Sequence, residues 1–284
     1  MTRAMPQHRS VHFVPGHRTR WLGQACSMGP DVIVLDLEDA VPRSQKDDAR
    51  RAAADVLRSW PEGAAPHLFV RVNGPTVAES AEDMSVLMAA ERTLGVVVPK
   101  FSGHLHGPML DWVEQTGAPV IILIESWAAV RDFEGWELPR SVVAAAIGTE
   151  DLAADPATPG HAHPRLVEHV SSAFVASALA HGVQPLAGVF TDVRNDAGFL
   201  RHALEARDRG FAGGMSIHPS QIPPLNDTFA VDSTVAESAR ALVTAADATS
   251  YDGGYVRVGD LTLTPAKVAR ARAVLTRIAK GDAP

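Results

Sequence analysis

Acidic, basic and amide side chains recur in this chain directly after short runs of Val, Ile, Leu and Ala. Asp36, Glu38 and Asp39 follow Val-Ile-Val-Leu, and Arg71 and Asn73 follow or close His-Leu-Phe-Val. Lys100 follows Val-Val-Val-Pro, Glu125 ends Val-Ile-Ile-Leu-Ile, and Thr149, Glu150 and Asp151 follow Ala-Ala-Ala-Ile-Gly. His17 and Arg18 come after the first run and His218 after the last. A single carboxylate in such a place reads as a solvated loop residue, but six run ends converging on one rim read as a site. Glu125 and Asp151 sit on successive runs, so both can reach one cation. Oxygen-only ligation suits Mg²⁺, with Mn²⁺ as the alternative, and leaves positions for water and substrate oxygens. The competing arrangement is an ion pair with Arg71 or Lys100. His104/His106 and His161/His163 lie two apart in Gly/Pro-rich loops without a third ligand, so they are expected at the surface and not on zinc. Cys26 falls in a helical pattern and reads as a small buried residue, and neither Ser126 nor Ser220 shows a His–Asp relay.

These residues need a frame that brings many run ends together. The expected strands are 11–15, 32–36, 67–72, 95–99, 120–125, 142–148, 185–190 and 213–217, near-continuous apolar runs of the kind buried on both faces in parallel sheets. Between them lie helical stretches. Residues 44–60 place Ala49, Ala53, Val56 and Trp60 on one face behind Ser44 as N-cap. Leu166, Val170, Phe174 and Ala178 form a similar stripe, and Asn195 or Asp196 caps a helix carrying Leu200, Ala203 and Leu204. Eight such units predict an α/β fold, a (β/α)₈ barrel over residues 1–231, whose active site lies at the C-terminal strand ends. A doubly wound open sheet is the runner-up, but no G-x-G-x-x-G or P-loop follows any run. Residues 232–284 are expected to form a small lid or oligomerisation segment. In it, 255–258 and 261–263 flank the Gly259-Asp260 turn, and Thr264 and Pro265 open a last helix with Val268, Ala271, Leu275 and Ile278 on its buried side.

Composition narrows the partners. Of 284 residues, 46% are hydrophobic and 21% charged, an ordinary globular balance. The excess of 33 acidic over 26 basic residues, with no basic stripe, argues against nucleic acid and anionic membranes. The longest apolar runs are far short of the ~20 residues of a membrane helix. The first ten residues lack a signal-peptide core, and one cysteine forms no internal disulfide, so a cytoplasmic protein is expected.

Taken in order, Arg-Ser-Val-His-Phe-Val-Pro-Gly (9–16), Asp-Leu-Glu-Asp-Ala-Val (36–41), Val-Arg-Val-Asn (70–73), Val-Pro-Lys (98–100), Ile-Leu-Ile-Glu (122–125), Gly-Thr-Glu-Asp-Leu (148–152) and Gly-Met-Ser-Ile-His-Pro-Ser-Gln (214–221) make the chain resemble the citrate lyase β-subunit-like family. That family belongs to the HpcH/HpaI aldolase superfamily and is related to malyl-CoA and citramalyl-CoA lyases. The resemblance implies a TIM barrel with a C-terminal lid, assembled as a homotrimer or hexamer. It also implies Mg²⁺-dependent cleavage or formation of a carbon–carbon bond to a short 2-oxo or 2-hydroxy acid. The expected partner is an acyl-CoA, an acyl carrier protein or a free aldehyde. By the same resemblance Glu125 and Asp151 hold the metal, and Arg71 stabilises the enolate oxygen in a catalytic group with Glu38 and Asp39. Phe13, Arg18, Arg71, Lys100, Glu125, Thr149, Glu150, Ile217 and His218 contact substrate or coenzyme A. A dication on the acid's oxygens and a guanidinium on the developing charge suit retro-Claisen chemistry. Three departures stand out. Gln24 replaces a usual Lys, Ala187 a usual Asp, and Leu263 falls at the place of a lid Asp that acts as acid/base, with Asp260 as the nearby substitute. An acyl-CoA thioesterase of the same family and a non-catalytic metal-binding subunit are the rival readings.

Overall fold

The eight apolar runs form eight parallel strands that close on themselves, each hydrogen-bonded to the next and the eighth to the first. The computed structural model describes residues 7–61, 65–74, 78–90, 94–105, 107–155, 158 and 164–279. The strands are β1 (Ser10–Pro15), β2 (Val32–Asp36), β3 (His67–Arg71), β4 (Gly95–Val98), β5 (Val120–Ile124), β6 (Val142–Ile147), β7 (Gln184–Ala187) and β8 (Gly213–Ser216). The seventh stops three residues earlier than the apolar pattern suggests, and Gly188 to Phe190 leave the sheet. The open-sheet alternative is excluded by the β1–β8 pairing of Ser10, Val11 and His12 with Gly214, Met215 and Ser216.

Alternation along the strands fills the barrel. Val11 and Phe13 of β1, Val32 and Val34 of β2, Phe69 of β3, Val97 of β4, Ile121 and Leu123 of β5, Ala144 and Ala146 of β6, Leu186 and Met215 form one buried cluster. Successive strand side chains point to opposite faces, so these residues share the interior. The barrel tolerates Phe69 because the adjacent strand offers Gly95, where a Cβ would lie 2.1 Å from the Phe69 ring. Continuing the same period by two residues puts Asp36, Arg71, Glu125 and Gly148 on the inward side at the strand ends. The fold thus aims a carboxylate, a guanidinium and a second carboxylate into one mouth.

Helices cover the outside, and several differ in detail from the pattern of the sequence. Arg43–Gln45 form a 3₁₀ turn that leads into the helix Lys46–Ser59, so Ser44 lies before the cap position and caps nothing. Asp47 and Asp48 instead place negative charge in the first turn, where the helix dipole favours it. The buried face of this helix is Ala49, Arg50, Ala53 and Leu57, with Val56 and Trp60 only partly covered. In Pro164–Ala180, Val170, Phe174 and Ala178 are buried while Leu166 is exposed. Asn195 does cap Asp196–Asp208 by accepting the Gly198 N–H at 2.8 Å, but that helix buries Phe199, Ala203 and Ala206 and leaves Leu200 exposed. Among the described residues no helix is long and apolar enough to cross a membrane.

The chain divides into two compact units, the first ending at Thr228 and the second beginning at Phe229. The second unit contains the helix Ser233–Ala248, the hairpin β9 (Val256–Val258) and β10 (Leu261–Leu263), and the helix Pro265–Ala279. Gly259 takes φ +56° at the hairpin turn, a left-handed conformation that glycine adopts at no steric cost. Thr264 Oγ accepts the Lys267 N–H at 3.3 Å, and Ala246, Leu263 and Val268 form this unit's own core.

Candidate active site

Strand register sets the first contact. Asp36 and Arg71 are direct Cα partners across β2 and β3. Their inward side chains meet in a two-pronged ion pair, Arg71 Nε to Asp36 Oδ1 at 2.7 Å and Nη2 to Oδ2 at 2.6 Å. Asp36 is fully buried and also accepts the N–H groups of Glu38 and Ala40, which folds the following loop back over the strand end. Arg71 Nη1 lies 3.2 Å from Glu38 Oε2, and the guanidinium carbon stands 5.1 Å from the centre of the Phe13 ring. Burial opposes the Arg71 charge, yet Asp36, Glu38 and Asp39 raise its pKa above the ordinary arginine value. This cation is therefore permanent, planar and fixed in orientation.

Glu125 is the second inward group. It is 8% exposed, and its Oε2 accepts the Lys100 backbone N–H at 2.7 Å. Lys100 reaches that position with φ +50°, an uncommon conformation for a residue other than glycine. Opposite Glu125 stands Gly148, where a Cβ would lie 2.5 Å from Glu125 Cγ, so only glycine leaves room for the carboxylate. Burial pushes the Glu125 carboxyl up to about 7; the Lys100 N–H works against this, while the charges of Glu38 and Asp151 add to it. Glu125 and Asp151 pair with neither Arg71 nor Lys100, whose ion pairs go to Asp36, Glu38 and Asp39. Both carboxylates face one space, and among the described residues no Lys or Arg side chain is ion-paired with either.

That space is a cavity of about 490 Å³ at the C-terminal mouth of the barrel. Phe13, Asp39, Arg71, Glu125, Thr149, Glu150, Asp151, Ile217 and His218 all line it, together with Asp36, Trp21, Gln24, Leu123, Val189 and Met215. Three of the residues expected to touch a ligand do not line it. Arg18 sits in the turn after β1 with its guanidinium 5.9 Å from the Trp21 ring. Glu38 is buried beneath Arg71 and bonded to the Lys100 ammonium, so Glu38 and Lys100 act on the mouth through Arg71 and Glu125. Among the described residues Arg71 is the only Lys or Arg in the lining, against Asp36, Asp39, Glu125, Glu150 and Asp151. Such a lining favours a cation.

The donor set suits a hard dication. Among the described residues no three His, Cys, Asp or Glu side chains converge as a complete metal cage. Two carboxylates with open positions fit Mg²⁺, which keeps waters and substrate oxygens in its shell. Of the histidines set aside above, His104 is exposed, while His106, His161 and His163 lie outside the described residues. Cys26 is half-buried in the helix Leu22–Ser27, and burial raises its thiol pKa. The sequence reading passed over His12, a cavity residue that donates to or accepts from Ser216 Oγ at 2.9 Å and is held down to about pKa 4, chiefly by burial. A lone histidine inside an apolar strand gave no periodic signal of its position. Leu263, assigned above to the place of a lid Asp, is fully buried in the second unit's core, whereas Asp260 at the hairpin turn is exposed.

A parallel eight-stranded barrel with a carboxylate-rich, cation-demanding mouth defines a TIM-barrel protein with its site at the strand C-termini. The family model described as HpcH/HpaI aldolase/citrate lyase matches residues 9–219, and the chain belongs to that family. It is 34% identical over 281 residues to a citrate lyase subunit beta-like protein of Deinococcus radiodurans, covering 94% of this chain and 96% of that relative. It is 28% identical over 261 residues to a (3S)-malyl-CoA thioesterase of Cereibacter sphaeroides, covering 89% of this chain and 87% of the other. Among solved structures, the CitE protein of Mycobacterium tuberculosis in complex with magnesium, acetoacetate and coenzyme A aligns with a TM-score of 0.72 at 25% identity. That alignment covers 96% of this chain and 98% of the other.

Proposed function

We propose that this protein is a Mg²⁺-dependent carbon–carbon lyase of the aldolase/Claisen type, acting on a short 2-oxo or 2-hydroxy acid unit. The observation that carries the reading is the unneutralised pair Glu125 and Asp151 in the same cavity as Arg71. Glu125 and Asp151 would hold the ion, which when bound supplies a Lewis acid for the acid's carboxylate and neighbouring oxygen. Arg71 has its Nε and one Nη tied to Asp36, so it cannot swing to follow a substrate. It meets the negative charge that gathers on an enolate oxygen as the carbon–carbon bond breaks and its electron pair moves onto that fragment. Leu123, Val189 and Met215 give the cavity an apolar wall that limits water around the charged intermediate. The CitE complex with magnesium, acetoacetate and coenzyme A supports the ion, a short oxo acid and coenzyme A as ligands for this chain too.

The Cereibacter relative favours a second reading, thioester hydrolysis at the same site. Incubation with Mg²⁺ and malyl-CoA separates the two. Bond cleavage yields acetyl-CoA and glyoxylate, whereas hydrolysis yields free coenzyme A and malate. Acetyl-CoA that appears only with Mg²⁺ and disappears in Glu125→Ala and Asp151→Ala is the expected result. Free coenzyme A without acetyl-CoA would replace the lyase reading by the hydrolase, and binding of Mg²⁺ with turnover of no thioester or 2-oxo acid would favour a non-catalytic subunit.

A further inference from the structure

The helix Lys46–Ser59 lies outside the barrel, yet its first residue reaches back to the site. The Lys46 ammonium donates to Leu37 O at 2.5 Å, Glu38 O at 2.6 Å and Asn73 Oδ1 at 2.8 Å, which uses all three of its hydrogens. Asn73 in turn donates from its Nδ2 to Leu37 O at 2.9 Å and to Asp83 Oδ2 at 2.6 Å. Asp83 is fully buried and bound to Arg50 Nε at 2.7 Å, so the strut ends on the same helix that it starts from. Two consecutive carbonyls of the loop after β2 are thereby clamped to one cation. These carbonyls belong to the peptides flanking Glu38, whose carboxylate joins Arg71 to Lys100. Lys100 then places its backbone N–H on Glu125.

We propose that Lys46 is the positioning residue of this mouth, fixing Glu38 and, through Glu38, both Arg71 and Lys100, whose backbone N–H orients the Glu125 carboxylate toward the ion it would hold. The inference rests on the functional reading above. Lys46 does not line the cavity, so its effect is indirect and passes through the loop that carries Glu38. Burial lowers its pKa below the ordinary lysine value, and the charges of Asp36, Asp83, Glu38 and Asp39 only partly offset this. Removing a group that orients metal-binding side chains from behind costs about 10–100-fold in metal affinity.

The test is calorimetric binding of Mg²⁺ in the presence of pyruvate to wild type, Lys46→Met and a control, Arg51→Met. Arg51 sits on the same helix, exposed and, among the described residues, ion-paired with Asp48 alone. With native circular dichroism in all three, the expected result is a dissociation constant raised at least ~10-fold in Lys46→Met and unchanged in Arg51→Met. A merely structural Lys46 would lower the melting temperature and leave the dissociation constant at the wild-type value, which overturns the proposal. If Lys46→Met does not fold, Lys46→Gln is measured in its place: weakened binding is expected, and wild-type binding overturns it. Wild type that binds neither Mg²⁺ nor pyruvate brings down the functional reading and this inference together, whereas tight wild-type binding matched by the variant brings down this inference alone.

Discussion

Replacing Glu125 by Gln should make the metal-free protein more stable while ending its response to Mg²⁺. In the fold the carboxyl ionises near pH 7, against 4.5 for an unperturbed glutamate. A raised folded pKa means that the stability tied to the protonated form is complete below 4.5 and is lost as the pH rises through about 7. Holding Glu125 charged at pH 8 therefore costs at most about 3 kcal/mol. The amide keeps the acceptor for the Lys100 N–H but brings an NH₂ that needs partners of its own, so the net gain is set at about 1–2 kcal/mol. At roughly 2–4 °C per kcal/mol for a domain of this size, the melting temperature in EDTA at pH 8 should rise by about 2–8 °C. At pH 5, where the wild-type group is protonated in the fold, most of that difference should vanish. Mg²⁺ at about 100 times its dissociation constant would add ~2.7 kcal/mol to wild type and nothing comparable to the variant. Thermal and urea melts at both pH values, with EDTA and with Mg²⁺, give all of these quantities. A variant less stable than wild type at pH 8 in EDTA, or one that gains as much from Mg²⁺, would refute the account of Glu125 as an uncompensated carboxylate awaiting a cation.

Arg71→Lys should lower kcat by about 100-fold with little change in KM, since one ammonium cannot keep both bonds to Asp36 and still face an enolate; steady-state kinetics with unchanged kcat would make Arg71 purely structural. Gly148→Ala places a methyl 2.5 Å from Glu125 Cγ, so it should displace that carboxylate and abolish the Mg²⁺-dependent rise in melting temperature, a result read by thermal shift with and without the ion. Leu263→Asp should destabilise the second unit by several kcal/mol, because it buries an unpaired carboxylate among Ala246, Val268 and their neighbours. Loss of that unit's protease resistance without any gain in thioester cleavage is the expected outcome, and improved cleavage by a folded variant would return position 263 to the acid/base role.

The eight strands, and the placing of Asp36, Arg71 and Glu125 at or just after their C-terminal ends, were legible in the sequence alone. Apolar runs of strand length fix where the ladder lies, but runs apolar on both faces do not say which side turns inward; closure of the barrel decided that, putting Val34, Phe69 and Leu123 inside and with them, two residues on, Asp36, Arg71 and Glu125. The same reasoning failed for helix faces, where Leu166 and Leu200 follow the apolar spacing but remain exposed, because helix rotation is set by what the barrel surface offers. It also could not separate ligand-facing groups from supporting ones. Glu38, Asp39 and Lys100 all follow strand ends, yet only Asp39 lines the cavity, since the loop folds back on Asp36 and drives Glu38 beneath Arg71. Lys46 resembles any solvated lysine at a helix start until Leu37, Glu38 and Asn73 close around it. Leu263 shows the converse: a linear motif set it in the place of an acid, and the hairpin turned it into a core. A long polar side chain finds its partner through contacts distant in sequence, and those exist only once the barrel has closed.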